Sequence, residues 1–169
     1  MTTTIPEPFT SPDVIRFTVP GLPVAQPRQR HRIAAGAGRQ WVQNYTPSKS
    51  PVNEYKAAVR LAAAQVVNAP LNGPLSISVV FVFPRGTKPT WLKKHSSWFW
   101  AWKDGQRVPH IARPDRDNLD KSTLDALKGI VFLDDKQAYC GRIEKWIAAG
   151  DEPAHVEVVI ETHSITKAS

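Results

Sequence analysis

Residues 113–135 read RPDRDNLDKSTLDALKGIVFLDD, and this segment combines a helix with an unusual density of acidic residues. Six of its residues are aspartates: Asp115, Asp117, Asp120, Asp125, Asp134 and Asp135. The formal charge of the segment is −2, whereas the remainder of the 169-residue chain has a charge of +9. A basic body with one acidic focus is typical of a protein that handles a polyanion at a cation site, although solubility explains the charge alone equally well.

The helix of this segment is predicted over about Asn118 to Lys128, and the glycine that follows it is a candidate left-handed cap. Its inward stripe consists of Leu119, Thr123, Ala126, Leu127 and Ile130. Asp115 and Asp117 precede the helix two residues apart, so extended backbone places both side chains on one face. The residues GIVFLDD then lead the chain back, which can bring Asp134 or Asp135 beside the first pair.

Converging carboxylates need a counter-ion, because two charges about 4 Å apart repel by roughly 4 kcal/mol at an effective dielectric constant of about 20. Mg²⁺ and Mn²⁺ are bound by carboxylates and water, so the pattern favours a divalent-metal site. An alternative is that Asp117 and Asp120 serve the helix N-terminus as cap and dipole residues. A calcium loop of the EF-hand type is excluded, since its glycine would fall at Asp120 and its glutamate at Ala126.

Lys121 lies four residues after Asp117, on the same side of the predicted helix. One interpretation is an ordinary ion pair with that aspartate, worth a few tenths of a kcal/mol (about 0.2–0.5). The other places the ammonium over the metal site, where it would stabilise charge on a phosphate oxygen in the transition state.

The sequence lacks the motifs of several other kinds of site, and it also lacks the patterns of a signal peptide and of a membrane span. Cys140 is the one cysteine of the chain, so an intrachain disulfide is impossible and zinc-binding Cys/His spacing is absent. Phosphate-binding GxxxxGK[ST] and nucleophile GxSxG motifs are also absent. The N-terminus lacks the pattern of a signal peptide, and no apolar run approaches the length of a membrane span. We therefore expect a cytoplasmic protein that does not contact a membrane.

The remaining patterns predict one α/β (mixed α+β) domain over residues 14–163, with a flexible leader at 1–13 and a tail at 164–169. A mixed sheet packed with two main helices is expected. Strands are predicted at Val14–Gly21, Leu75–Pro84 (central), Gln137–Ala148 and His155–Thr162. A first helix is predicted to begin at Pro51 after Ser50 as N-cap, with apolar residues at helical spacing as far as Val66.

Two segments have ambiguous patterns. Residues 26–39 hold Arg28, Arg30, His31, Arg32 and Arg39 among Pro and Gly, which predicts an extended, solvated basic loop able to follow a phosphate backbone. Trp98, Trp100 and Trp102 alternate, which suggests a short extended segment. We interpret the three indoles as a buried face, with base stacking as the alternative.

Several motifs in order resemble the RusA family of Holliday-junction resolvases. The first is D-x-D-N-L-x-K at residues 115–121, followed by D-A-L at 125–127, Gly129, and L-D-D-x-Q at 133–137. The N-terminal half is similar as well, with a strand, then PGLPVAQPRQRHR, then YTP before a helix. The resemblance spans about Phe17 to Glu161, and the insert that contains Lys93–Trp102 is longer than the family pattern predicts.

This resemblance implies a RusA-like fold and a homodimeric, Mg²⁺-dependent endonuclease, with Mn²⁺ as a substitute, that nicks four-way DNA junctions symmetrically in recombination and repair. Many such proteins are encoded by phages or prophages. It assigns the essential acids to Asp115, Asp117 and Asp135, ranks Asp134 below Asp135 as a metal ligand, and makes Lys121 essential. The expected DNA-binding residues are Arg28, Arg30, Arg32, Lys49, Lys93 and Lys94. A less selective metal-dependent nuclease and a non-catalytic binder of branched DNA with a structural metal remain the competing interpretations.

Overall fold

The structure is a computed structural model that describes residues 14–27, 30–36, 38–45 and 50–162. The predicted leader at 1–13 and tail at 164–169 fall outside the described residues. The elements in chain order are β1 Val14–Pro20, β2 Arg30–Gly36, β3 Arg39–Tyr45, α1 Pro51–Ala64, β4 Leu75–Phe83, α2 Ser97–Lys103, β5 Val108–Pro109, α3 Arg116–Leu127, β6 Ala138–Cys140, β7 Ile143–Ile147 and β8 His155–Thr162. In these residues no helix is both long enough and apolar enough to cross a bilayer.

The main sheet has the strand order β1-β8-β4-β7-β5, and the short β6 also pairs with β4. Pairs β1–β8, β8–β4 and β7–β5 are antiparallel, whereas β4 runs parallel to β6 and β7. The central strand β4 is apolar along most of its length, as burial on both faces requires. The mixed sheet confirms the prediction of a single α+β domain with β4 in its centre.

Helices α1 and α3 pack against each other and share one hydrophobic core with the sheet. Helix α1 starts at Pro51 as predicted, but the Ser50 side chain makes no capping hydrogen bond. Between the helices, the Tyr55 hydroxyl lies 2.7 Å from Thr123 Oγ1, and burial raises the pKa of Tyr55 to about 12. The predicted inward stripe of α3 is confirmed, since Leu119, Thr123, Ala126 and Leu127 are buried. This packing fixes α3, and with it the aspartates at its start.

The predicted strand Gln137–Ala148 is wrong as a single element, because the chain forms β6 and β7 with a break between them. Gly141 lies in the break at φ 153°, where an added Cβ atom would stand 1.8 Å from the Ile77 carbonyl oxygen. The backbone therefore presses directly on β4 and realigns before β7 begins, which ends the continuous strand that hydropathy alone suggests.

The predicted basic loop is wrong for Arg30–Gly36 and Arg39, because these residues belong to a two-stranded antiparallel hairpin formed by β2 and β3. Gly36 pairs with Arg39 at the tip, and Gly38 has a φ of 74°, a conformation that glycine adopts without strain. The prediction missed the hairpin because arginine, proline and glycine masked a second run, Arg39–Tyr45, that contains strand-forming aromatic and β-branched residues.

The tryptophan segment forms the helix α2 rather than an extended segment, so that prediction is wrong as well. Ser96 caps it by accepting a hydrogen bond from the Phe99 backbone N–H at 3.1 Å. None of the α2 residues is buried, which also contradicts the interpretation of three indoles on a buried face. A seven-residue helix is too short for its periodicity to stand out from simple alternation.

Candidate metal and nucleic-acid site

Asp115 and Asp117 mark the start of α3, the first as the N-cap residue and the second in the first turn. The Asp115 backbone oxygen accepts the first helical hydrogen bond, from Leu119 N–H at 3.2 Å, but its carboxylate makes no capping bond. Both side chains are exposed, and neither forms a hydrogen bond or ion pair within the described part of the chain. Neither carboxylate therefore caps the helix through a hydrogen bond, whereas Asp117 in the first turn has the position that the helix dipole favours for an acid.

Lys145 of β7 holds the segment that leads into Asp115. Its Nζ donates hydrogen bonds to the backbone oxygens of Ala112 at 2.7 Å and Pro114 at 2.5 Å. Burial lowers the pKa of Lys145, and the nearby charge of Asp115 opposes that shift. The ammonium thus ties the residues just before the acidic pair to the main sheet.

The chain segment that leads to the hairpin lies against the start of α3. Gln26 N–H donates to the Asn118 backbone oxygen at 2.8 Å, and Ser122 Oγ donates to the Val24 backbone oxygen at 2.7 Å. A concave surface here is lined by Ala25, Arg113, Pro114, Asp115 and Asn118. The root of the basic hairpin is therefore joined directly to the acidic end of α3.

The two adjacent aspartates after α3 have different environments. Asp134 accepts a hydrogen bond from Lys136 N–H at 3.1 Å and caps the short 3₁₀ turn Asp135–Gln137. This backbone hydrogen bond lowers the pKa of Asp134. Asp135 makes no such bond; its carboxylate is 63% exposed and lies 3.7 Å from Lys128 Nζ. Asp134 serves the local fold, while Asp135 offers its oxygens outward.

The side chain of Gln137 stabilises the turn that contains the two adjacent aspartates. Its Oε1 accepts hydrogen bonds from the backbone N–H groups of Leu133 and Asp134 at 3.0 and 3.2 Å. Its Nε2 donates to the backbone oxygens of Leu71 and Gly73 at 3.0 and 3.1 Å. The side chain therefore fixes the turn that presents Asp135. The D-x-x-Q spacing is a capping pattern that the sequence displays, whereas the prediction for Asp134 was a metal ligand alone.

The remaining aspartates of the segment are held within the protein. Asp125 pairs with Lys56 of α1 at 2.9 Å and so links the two main helices. Asp120 is half-buried and lines a cavity with residues of the β6–β7 turn; burial raises the pKa of its carboxyl, and Arg116 opposes this shift. These two acids have structural surroundings and are not brought to the exposed start of the helix.

Lys121 is exposed on α3 one turn after Asp117. Within the described residues it forms no ion pair with that aspartate, although their spacing allows one. The simple ion-pair interpretation of Lys121 therefore has no contact to support it. Its ammonium is available on the side of α3 that also carries Asp117.

The proposed DNA-binding residues fall into three positions. Arg30 and Arg32 lie in strand β2, with side chains outside what the structure describes. Arg28 and Lys49 lie outside the described residues altogether. Lys93 and Lys94 are exposed just before α2.

In the residues described, Asp115, Asp117 and Asp135 do not form a group whose ligand atoms lie within 4.8 Å of one another. The first pair stands at the start of the 12-residue helix α3, whereas Asp135 follows the end of that helix and lies beside Lys128, so the structure does not bring the three carboxylates together. Their chemistry fits Mg²⁺, because all three are exposed and offer the carboxylate oxygens that this ion binds.

A cluster that the sequence patterns did not predict is formed by Glu152, His155 and Glu157, whose possible ligand atoms lie within 4.8 Å of one another. Arg107 fills it, donating from Nε to both Glu152 carboxylate oxygens at 3.0 and 3.1 Å and from Nη2 to Glu157 at 2.7 Å. His155 Nε2 lies 2.9 Å from the same Glu157 oxygen. The hydrogen bond with Arg107 lowers the pKa of Glu152. Partners 45 and 50 residues apart leave no local pattern by which the sequence could have predicted this network.

Comparisons with known proteins show the family of the chain. A family model described as endodeoxyribonuclease RusA matches residues 20–161, which is most of the chain. A protein of Bacillus subtilis (strain 168), described as uncharacterized protein YqaN, is 31% identical over 153 residues, covering 88% of this chain and 96% of the relative. The matched region contains the hairpin, the tryptophan helix and every aspartate of the acidic segment.

Proposed function

The chain belongs to the RusA endodeoxyribonuclease family, and on that premise we propose that it is a metal-dependent resolvase that cuts four-way DNA junctions by paired symmetric nicks. The observation that carries the proposal is the pair Asp115 and Asp117, whose exposed carboxylates stand at the start of α3 and make no capping hydrogen bond. Unused carboxylates in a chain of charge +7 are poorly explained as surface residues, but they suit a cation that bridges the protein to phosphate.

Asp115, Asp117 and Asp135 are the proposed ligands of Mg²⁺, for which Mn²⁺ would substitute. Asp134 ranks below them because a backbone N–H already occupies one of its oxygens. When bound, the ion polarises the scissile phosphate and lowers the pKa of the attacking water. The protein contributes position: α3 holds the first pair, and Gln137 holds the turn that presents Asp135.

Lys121 is the proposed residue that stabilises negative charge on the phosphoryl oxygens as they approach the transition state. Its ammonium is exposed one turn from Asp117 and is free of an ion pair in the described residues. An ammonium that is not neutralised by a carboxylate of its own chain keeps its full charge for the substrate.

Arg30 and Arg32 of the hairpin β2–β3, together with Arg28 and Lys49 of the flanking sequence, are the proposed contacts to the DNA backbone. The support for these contacts is the attachment of Gln26 to Asn118, which starts the basic segment beside the acidic end of α3. Cations close to the metal ligands offset the repulsion between carboxylates and DNA phosphates. Lys93 and Lys94 extend the basic surface on the side of α2.

A homodimer is part of the proposal. A four-way junction has near two-fold symmetry, so a two-fold dimer can offer one acidic site to each of two opposed strands. Paired nicks at symmetric positions then resolve the junction into two duplexes, which is the chemistry that DNA recombination and repair require.

A substrate panel tests the proposal: an immobile four-way junction, a flap and a linear duplex of the same arm sequences, each with and without Mg²⁺. Symmetric nicks in the junction, dependent on Mg²⁺ or Mn²⁺ and much faster than cutting of the linear duplex, are expected. Equal cutting of all three would identify a less selective nuclease. Tight junction binding with no cutting in either metal would identify a non-catalytic binder of branched DNA.

A further inference from the structure

The helix α2 exposes two large aromatic side chains. Trp98 is 40% and Trp100 is 48% accessible to solvent, although the segment is ordered as a helix. Indoles bury readily, so two of them left open on a short helix are a surface feature that needs an explanation. Neither the metal site nor the hairpin described above uses them.

The helix is fixed rigidly to the protein body, and Trp102 and Arg85 provide the attachment. The Arg85 guanidinium lies 3.7 Å from the centre of the Trp102 ring. It also donates hydrogen bonds to the backbone oxygens of Trp102 at 2.5 Å, Gln106 at 3.1 Å and Ala148 at 2.9 Å. Trp102 is thus a packing residue. Trp98 and Trp100 are two residues apart and therefore point roughly 200° apart around the helix axis. Trp98 is on the side that contacts Trp146, and Trp100 is on the other side.

The surroundings of the two indoles are cationic. Residues 85–103 contain five basic residues and no acidic residue. Lys103 Nζ lies 5.3 Å from the Trp100 ring centre, and Lys93 and Lys94 are exposed without an ion pair in the described part of the chain. Two acids lie close to the helix: Asp104 is its C-cap residue, and Glu144 accepts a hydrogen bond from Trp146 at 2.6 Å and pairs with Arg142 at 3.2 Å. Open indoles among unneutralised lysines match an anionic partner that has flat rings.

The platform is connected to the acidic site through β7. Trp98 packs against Trp146 with ring centres 6.0 Å apart, and the neighbouring Lys145 binds the backbone oxygen of Pro114, the residue before Asp115. Both functional surfaces are therefore braced by consecutive residues of one strand.

We propose that Trp100 is a stacking platform for unpaired DNA bases, and that Lys93, Lys94 and Lys103 bind the phosphates of the same strand. Every base has a face that can stack on an indole, so the contact favours unpaired strand over duplex without reading sequence. The biological role of the platform rests on the proposed function: it would act on bases that unpair at the crossover of the bound junction.

The test is binding of a short fluorescently labelled oligo-deoxythymidine, measured by anisotropy without divalent metal so that cutting plays no part. Trp100→Leu, which keeps an apolar side chain but removes the ring, is expected to weaken binding by roughly 5- to 150-fold. Trp100→Phe should retain most of the affinity. The matched control is Leu61→Ala, which removes an exposed apolar side chain from a different helix, α1, and should leave the affinity for the oligonucleotide unchanged.

The lysines are tested by salt titration of the same binding. Changing Lys93 and Lys94 together to alanine should reduce the slope of log K against log salt concentration by about 1.4, since each single-strand phosphate contact contributes about 0.7. Trp100→Leu should lower the affinity and leave this slope unchanged. Thermal midpoints within error of the wild type show that each variant is folded.

Failure of this inference differs from failure of the proposed function. Asp117→Asn should bind the oligonucleotide normally, so a protein that cuts no junction can still carry the platform. Wild-type affinity in Trp100→Leu, or no oligonucleotide binding by the wild-type protein, would overturn the platform even if junctions are resolved. A changed sedimentation coefficient in Trp100→Leu with unchanged oligonucleotide affinity would also overturn it, and would assign the face to a second copy of the chain.

Discussion

The protein has two acidic regions that differ in what neutralises them. Around Arg107, the carboxylates of Glu152 and Glu157 lie close together and both accept hydrogen bonds from the guanidinium. At the start of α3, the carboxylates of Asp115 and Asp117 are exposed and have no such partner among the described residues. The carboxylates of the first region contact a cation of the protein, whereas in the part of the chain that the structure describes those of Asp115 and Asp117 form no ion pair.

This contrast shows that close ligand atoms do not by themselves indicate a metal site. The Glu152–His155–Glu157 group satisfies a distance criterion, yet an arginine already meets its charge and its hydrogen-bonding capacity. The α3 region fails the same criterion, yet its carboxylates remain open. An open carboxylate on a rigid helix can accept a cation, while a carboxylate held by arginine stabilises the fold.

The largest effect is expected from Asp117→Asn. If the α3 region is the catalytic one, this change should abolish junction cutting in Mg²⁺, while junction binding survives because one charge that repels phosphate is lost. Cutting is measured on a labelled junction, and binding by gel shift in Ca²⁺. Asp151→Asn, an exposed carboxylate near the other acidic region, is the charge-matched control and should cut normally. Full activity in Asp117→Asn would end the assignment.

The same contrast between open and engaged carboxylates can be tested on two neighbours. Asp135→Asn should lose cutting as severely as Asp117→Asn, because its exposed oxygens are proposed ligands. Asp134→Asn should lose much less, since its carboxylate serves the 3₁₀ turn, and asparagine can accept the same backbone hydrogen bond. Initial cutting rates of the two variants, compared at equal folded concentration, decide the matter. The reverse order would show that Asp134 is the essential ligand.

Substitutions of Lys121 test a cation that forms no ion pair in the described residues, in contrast to Arg107, which is paired with two glutamates. Lys121→Met should reduce the cutting rate by about 10²–10³-fold, the usual cost of losing one transition-state donor, with little change in junction affinity. Lys121→Arg keeps the charge and should recover part of the rate. A normal rate combined with a lowered thermal midpoint would instead support a structural ion pair.

The sequence predicted those parts of the fold that have regular, long patterns. Helix α3, strand β4 and strand β8 are each marked by a run of periodic or alternating apolar residues, and the structure confirms them. It did not predict α2 or the β2–β3 hairpin, where tryptophans or arginines interrupt the hydropathic contrast on which such patterns depend. It also joined β6 to β7, because only the close contact of Gly141 with β4 separates them.

For the candidate site, the sequence identified the acidic residues but not their surroundings. Whether Asp115 caps the helix depends on the orientation of its side chain. The ion pair between Asp125 and Lys56 depends on how α1 and α3 pack against each other. The Arg107 network joins residues from β8, the turn before it and the segment before β5. Such contacts arise from tertiary packing, which local spacing does not encode.

The same comparison can be made for basic residues. Arg107 is already neutralised by Glu152 and Glu157, whereas Arg28 and Arg30 are proposed to bind DNA. Replacing Arg28 and Arg30 with alanine should reduce the slope of log K for junction binding against log salt by about two, because roughly one counterion is released per duplex phosphate contact. Binding is measured in Ca²⁺. Alanine at Arg16 and Arg60, both exposed on β1 and α1, removes equal charge and should leave the slope unchanged. Equal slopes in the two double variants would remove the hairpin from the DNA site.

The smallest effect is expected in the closed acidic region, where Glu152→Gln should cost stability and leave the cutting rate per folded molecule unchanged. Glu152 accepts hydrogen bonds from Arg107 and from the Ala149 backbone N–H at 2.8 Å, and its side chain is 22% exposed. The loss at neutral pH should be about 1–2 kcal/mol, reduced from the value for a fully buried charged hydrogen bond by solvent screening. Asp151→Asn is again the control, and urea unfolding gives the free energies.

The pH dependence of that loss follows from the sign of the pKa shift. The hydrogen bond with Arg107 lowers the pKa of Glu152 in the folded protein below its ordinary value of 4.5. Its contribution is therefore complete above pH 4.5 and is lost as the pH falls through the folded pKa, where the carboxyl takes up a proton in both states. The stability difference between wild type and Glu152→Gln should shrink steadily as the pH falls below 4.5. A difference that stays unchanged in acid would mean that packing, rather than the charge held by Arg107, is what the glutamate contributes.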